Sequence, residues 1–120
     1  MPSTSTFKRG QVVVVNVPFS NHSGIKPRPA LVISAEAFHR DLADVIACPI
    51  SSRPRYYDRP GPGDCPLRNW RTAGLRHPST VRISKLLTVD KQIMRRILGS
   101  ISERDLMPIE AGLRQALGFE

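Results

Sequence analysis

Apolar residues alternate with a period of two along most of the chain and take a helical period only at its end. Residues 11–19 are valine-rich and β-branched, which predicts a strand. Val13, Val15, Val17 and Phe19 would share one face, with Val12, Val14 and Asn16 on the other. Asn21-His22-Ser23-Gly24 predicts a mobile turn. A second strand is expected over residues 28–34, with Pro29 tolerated at its start. Residues 35–41 suit a helical turn, and residues 44–51 a third strand in which Pro49 suggests a bulge or an edge. Residues 53–66 carry Pro54, Pro60, Pro62 and Pro66 and read as a long loop, rich enough in Tyr and Arg to be functional. Residues 67–70 suggest a brief strand, and residues 80–87 a clear one, with Val81 and Ile83 on one face. Residues 93–101 fit either a helix or a short strand.

The end of the chain predicts a helix. Ser102-Glu103-Arg104-Asp105 resembles a capping box, with Asp in place of the usual Glu. Leu106, Ile109, Leu113, Ala116 and Leu117 form one apolar stripe, and Gly118 supplies a stop. Strands followed by one helix imply a small, strongly bent β-sheet or barrel covered on one side. The 120 residues fit one domain, expected over residues 7–120 behind a disordered polar lead at residues 1–6. No apolar run approaches a membrane span and no signal-type stretch opens the chain, so a cytoplasmic protein without membrane partners is expected. Cys48 and Cys65 make no metal-type spacing and read as reduced thiols.

Charge changes the picture. The chain carries 18 Lys and Arg against 10 Asp and Glu, a net +8. Residues 1–30 hold +4 and residues 51–90 hold +5, while residues 31–50 hold −2 and residues 91–120 only +1. Of the 18 basic residues 14 are Arg, whose planar fork suits phosphate. A polyanion, nucleic acid ahead of membrane, is the natural partner; an ordinary arginine-rich solvated surface is the plainer alternative. No phosphate-cradling glycine loop, nucleophile elbow or metal-ligand spacing is present, so no cofactor and no metal is expected.

Three basic or hydroxyl-bearing segments remain. They are Lys26-Pro27-Arg28-Pro29, Pro49-Ile50-Ser51-Ser52-Arg53, and residues 74–82 with Arg76, His77 and Ser79. Lys8-Arg9-Gly10-Gln11-Val12-Val13, then Lys26-Pro27-Arg28-Pro29-Ala30-Leu31-Val32-Ile33, then Cys48-Pro49-Ile50-Ser51-Ser52, then Gly74-Leu75 with Pro78-Ser79-Thr80-Val81, then Leu86-Leu87-Thr88-Val89-Asp90-Lys91 form an ordered set. That set resembles the successive motifs of the MazF/PemK toxins over nearly the whole chain.

The resemblance implies a small SH3-like β-barrel of the Kid/MazF/CcdB kind with a C-terminal helix, and a homodimer. It implies the toxin of a type II toxin–antitoxin pair. Such a toxin is a metal-independent endoribonuclease that cuts single-stranded RNA at short sequences. The ribose 2′-hydroxyl attacks the adjacent phosphate and leaves a 2′,3′-cyclic phosphate. The family's catalytic arginine and hydroxyl residue carry over to Arg28 and Ser51. The second is usually threonine; serine keeps the hydroxyl and lacks the methyl that restricts its rotamer. Lys26, Ser52, Arg53, Arg55, Arg76 and Ser79 are the expected RNA contacts, with Tyr56, Tyr57 or Trp70 stacking on bases. His22 is the candidate for proton transfer, because arginine is a poor base. The resemblance also implies an acidic antitoxin partner, with DNA met only through the antitoxin complex. The alternative is a non-catalytic RNA-binding or CcdB-like gyrase-inhibiting barrel.

Overall fold

A computed structural model describes residues 6–18 and 25–119. Residues 1–5 of the expected lead, Phe19, and the turn containing His22 lie outside the described residues. The elements are β1 (Gln11–Pro18), β2 (Ile25–Val32), α1 (Glu36–His39), β3 (Asp44–Ser51), α2 (Pro54–Asp58), β4 (Asp64–Pro66), β5 (Thr80–Arg82), β6 (Leu87–Asp90), β7 (Met94–Ser100) and α3 (Glu103–Leu117). The sheet is antiparallel in the order β4-β5-β3-β2-β1-β7, with β6 also on β3. Its path is open, with β4 and β7 at the ends, so among the described residues the expected barrel is a bent sheet that does not close.

The valine run is explained by a sheet that is buried on both faces. Val12 packs with Leu31, Cys48, Val81 and Ile109 on one side. Val13 and Val15 pack with Ala30, Val32, Val45, Ala47 and Phe7 on the other. The α3 stripe covers the first side: Ile109 is fully buried and Leu106 and Leu113 partly so. Burying one such side chain contributes about 1.5–3 kcal/mol.

Several expected elements shift for identifiable reasons. Pro49 sits in a central strand, opposite Ala30 of β2, and not at an edge or bulge. On its other side β3 pairs with β6 up to Ala47 and with β5 only from Ile50, so the missing N–H falls where the partner changes. The long proline-rich loop contains α2, with Pro54 in its first turn, and β4. The brief strand predicted at residues 67–70 lies earlier, at Asp64–Pro66. The strand predicted over residues 80–87 is broken by a 3-10 turn at Ile83–Lys85 into β5 and β6. The ambiguous 93–101 segment is β7, whose pairing to β1 shifts register twice. Those irregularities blur the period-two signal.

The α3 N-terminus uses half of a capping box. Ser102 Oγ accepts from the Asp105 N–H at 3.2 Å. The Asp105 carboxylate does not return to the cap; it accepts from the N–H groups of Arg68 at 2.7 Å and Asn69 at 2.8 Å. Gly118 ends the helix at φ 79°, in the left-handed region. His39 is also buried: its Nε2 meets Phe7 O and its Nδ1 lies 2.7 Å from Ser34 Oγ. A carbonyl only accepts, so Nε2 carries the hydrogen and Nδ1 accepts from Ser34. Among the described residues no helix is long and apolar enough to cross a membrane.

A candidate nucleic-acid groove

The site begins with β2. Pro27 and Pro29 hold the backbone extended around Arg28, and the register sets Arg28 opposite Val15 of β1. On the other side of β2, Ala30 pairs with Pro49 of β3. Two residues further along each strand stand Arg28 and Ser51, so both lie at the same end of adjacent strands. The Ser51 hydroxyl accepts from the Arg53 N–H at 3.2 Å. That bond uses an oxygen lone pair and leaves the hydroxyl hydrogen available to donate.

The segment from residue 67 to residue 79 forms the opposite wall. Asp105 pins its start through Arg68 and Asn69, and the Leu67 N–H donates to Ser79 O at 2.9 Å. Its middle lies directly on β7. Gly74 has φ +85°, and a Cβ there would stand 2.4 Å from Leu98 O. Only glycine permits both the conformation and the approach. Ser79 is buried and its hydroxyl donates to His77 O at 2.8 Å, which fixes the last turn before β5.

Between these walls runs a groove of about 370 Å³. Val14, Pro29, Leu75 and Leu98 supply apolar surface, and Arg28, Arg76, Arg96, His77, Ser52 and Ser79 supply polar groups. None of the lining residues is acidic. An extended polyanion fits this chemistry: forked cations for phosphate beside apolar surface for bases. Of the residues singled out in the sequence, Arg28, Ser52, Arg76 and Ser79 come together here. Ser51 borders the groove through its neighbour Ser52 but does not line it, and Lys26, Arg53 and Arg55 also lie outside the lining. His22 is outside the described residues.

Two lining residues, Arg96 and His77, were not among the expected contacts. Arg96 faces Val14 only through the β1–β7 pairing, a long-range register that no local pattern carries. His77 did have a signal, its place between Arg76 and Pro78 in one of the three marked segments. The expected aromatic platforms are largely engaged elsewhere. The Tyr57 hydroxyl donates to Leu67 O at 3.0 Å. Arg82 lies 3.8 Å over the Tyr56 ring with Arg55 at 5.3 Å, and Arg71 covers Trp70 at 4.8 Å. A larger hollow of about 740 Å³ beside α2 and α3 contains Asp64 and Asp105, but both carboxylates are bound within the fold.

The fold and groove define a small antiparallel β-protein with a C-terminal helix and a basic cleft at one end of the sheet. Residues 8–117 match the family described as the PemK-like, MazF-like toxin of type II toxin–antitoxin systems, and the chain belongs to that family. Solved structures agree on the fold. An endoribonuclease in complex with its cognate antitoxin from a mycobacterial species is 22% identical, with TM-score 0.76 and 97% of each chain covered. A MazE–MazF complex from Deinococcus radiodurans is 25% identical, with TM-score 0.75 over 96% of this chain and 99% of that one. The Mycobacterium tuberculosis toxin MazF-mt6 is 18% identical, with TM-score 0.72 over 92% and 98%. Comparison with curated protein sequences returned no match.

Proposed function

We propose that this toxin is an endoribonuclease that cleaves single-stranded RNA in the groove without a metal ion. The observation that carries the reading is the acid-free groove holding Arg28, Arg76 and Arg96, with Ser51 at the same strand end as Arg28. Similarity to solved endoribonuclease toxins supports it. The reaction needs little covalent help. A ribose 2′-oxygen attacks the neighbouring phosphorus, the bond to O5′ breaks, and a 2′,3′-cyclic phosphate remains. Charge builds on the non-bridging oxygens in the transition state. Arg28 donates two charged hydrogen bonds to them, and Ser51 adds a neutral one. Arg76, Arg96 and Ser52 hold the flanking phosphates, and Lys26, Arg53 and Arg55 extend the basic track beyond the groove.

The same reading gives the toxin an acidic antitoxin that covers the groove, a homodimeric state, an SH3-like classification of the bent sheet, and a cytoplasmic place of action. DNA is met only through the antitoxin complex. Incubating the purified chain with single-stranded RNA in excess EDTA tests the core of it. Cleavage with 2′,3′-cyclic phosphate ends is expected. RNA left intact under those conditions, with gyrase inhibited instead, would move the chain to the non-catalytic alternative.

A further inference from the structure

We infer that His77 is the proton acceptor for the RNA 2′-hydroxyl, an inference that rests on the groove being the cleavage site. The reaction needs a group that takes a proton near neutral pH, and arginine and serine do not titrate there. Two histidines lie among the described residues, and His22, the candidate the sequence offered, lies outside them. His39 is buried with both ring nitrogens in hydrogen bonds to Ser34 and Phe7 and does not line the groove. His77 is exposed and lines the groove that holds Arg28. Its backbone, not its ring, receives the Ser79 hydroxyl, so the turn is fixed while the imidazole remains available to a ligand.

The charged groups around it in the groove are Arg28 from β2, Arg76 on its own loop and Arg96 from β7. All three are cations, and none is a carboxylate that would compete for the role. In the step, the neutral imidazole takes the 2′-hydroxyl proton as the 2′-oxygen bonds to phosphorus. The P–O5′ bond breaks with its electron pair on O5′, which takes a proton from water. The imidazolium then returns its proton to the hydroxide left behind.

His77→Gln keeps a polar side chain that does not titrate, at an exposed position where the fold does not depend on the ring. The rate of cleavage in EDTA is measured against pH for wild type and variant. Two substrates are used, one with the natural O5′ leaving group and one with sulfur in its place. Wild type is expected to lose activity as pH falls. His77→Gln is expected to be about 100-fold slower or more on both substrates and to lack that acid limb. A variant with wild-type rate or an unchanged acid limb overturns the inference while leaving the groove reading intact. Rescue of the variant by the sulfur substrate also overturns it, since the proton would then belong to the leaving group. Wild type inactive on both substrates takes down the groove reading and the inference together.

Discussion

Two clusters of arginine in this molecule do opposite things. At the β4–β5 corner Arg82 Nε donates to Asp64 Oδ1 at 2.9 Å and its guanidinium lies over the Tyr56 ring. Asp64 is nearly buried there, and its hydrogen bond pushes the Arg82 guanidinium further up from an already high value. That arginine is a brace. At the groove, Arg76 and Arg96 are exposed and have no ion-pair partner among the described residues. Those arginines leave their charge open to solvent. A net charge of +8 therefore overstates what a polyanion meets in one place and understates how sharply the remainder is focused.

The largest expected effect tests the outward cluster. Arg28→Ala should lower RNA cleavage by about 10²–10³-fold, the loss typical of one donor to a developing oxyanion. Its thermal midpoint should stay near wild type, because the side chain is exposed. A loss of activity matched by a loss of fold would put Arg28 with the braces instead.

Asp105→Ala probes the inward side. The carboxylate is buried and holds two backbone N–H groups of the groove's far wall. Leaving them unsatisfied should cost about 3 kcal/mol, read as a lower urea midpoint. Any activity loss should follow the unfolded fraction and recover on cooling or with stabilising osmolyte. A folded, inactive Asp105→Ala would show that the wall's position, not its stability, was what the clamp supplied.

The braces and the groove differ also in how far they can be read from sequence. β1, β3 and α3 are legible because each has a strong local signal: a valine run, an apolar block and a capped stripe. Arg28 and Ser52 are legible because prolines and strand ends mark them. Arg96 is not, since its place depends on a bulged pairing between strands some eighty residues apart. The role of Asp105 is misread for a related reason. Its spacing from Ser102 fits a local cap, while its carboxylate goes to residues 68 and 69, a contact that exists only after folding. The break between β5 and β6 was hidden because Ile83 is apolar and buried in a 3-10 turn as it would be in a strand.

A smaller effect concerns the core that joins the two regions. Burial pushes the Cys48 thiol from an ordinary 9.0 up to about 12, with Cys65 nearby adding to the rise. The folded protein therefore keeps the proton that the unfolded chain releases near pH 9. Stability from this group is complete below that pH and is lost as pH climbs toward about 12. Near pH 10.5 the loss should be about 2 kcal/mol. It should appear as the difference between the urea midpoints of wild type and Cys48→Ala, followed from pH 8 upward. Equal alkaline slopes in the two proteins would remove Cys48 from the account.

The smallest effect falls where brace and groove meet. Thr80 is fully buried at the start of β5, directly opposite Ser51 in register, and its Oγ1 has no hydrogen-bond partner among the described residues. A buried hydroxyl without a partner is a cost to folding, so Thr80→Val, which keeps the shape, should be neutral or stabilising by up to about 1 kcal/mol. If Thr80 belongs only to the inner framework, cleavage will be unchanged within about twofold. A more stable but slower variant would mean that the hydroxyl is held in reserve for the reaction, reorienting with Ser51 when phosphate arrives. That result would move the boundary between the two regions one strand inward, because a residue with no exposure would be working on the groove's side of it.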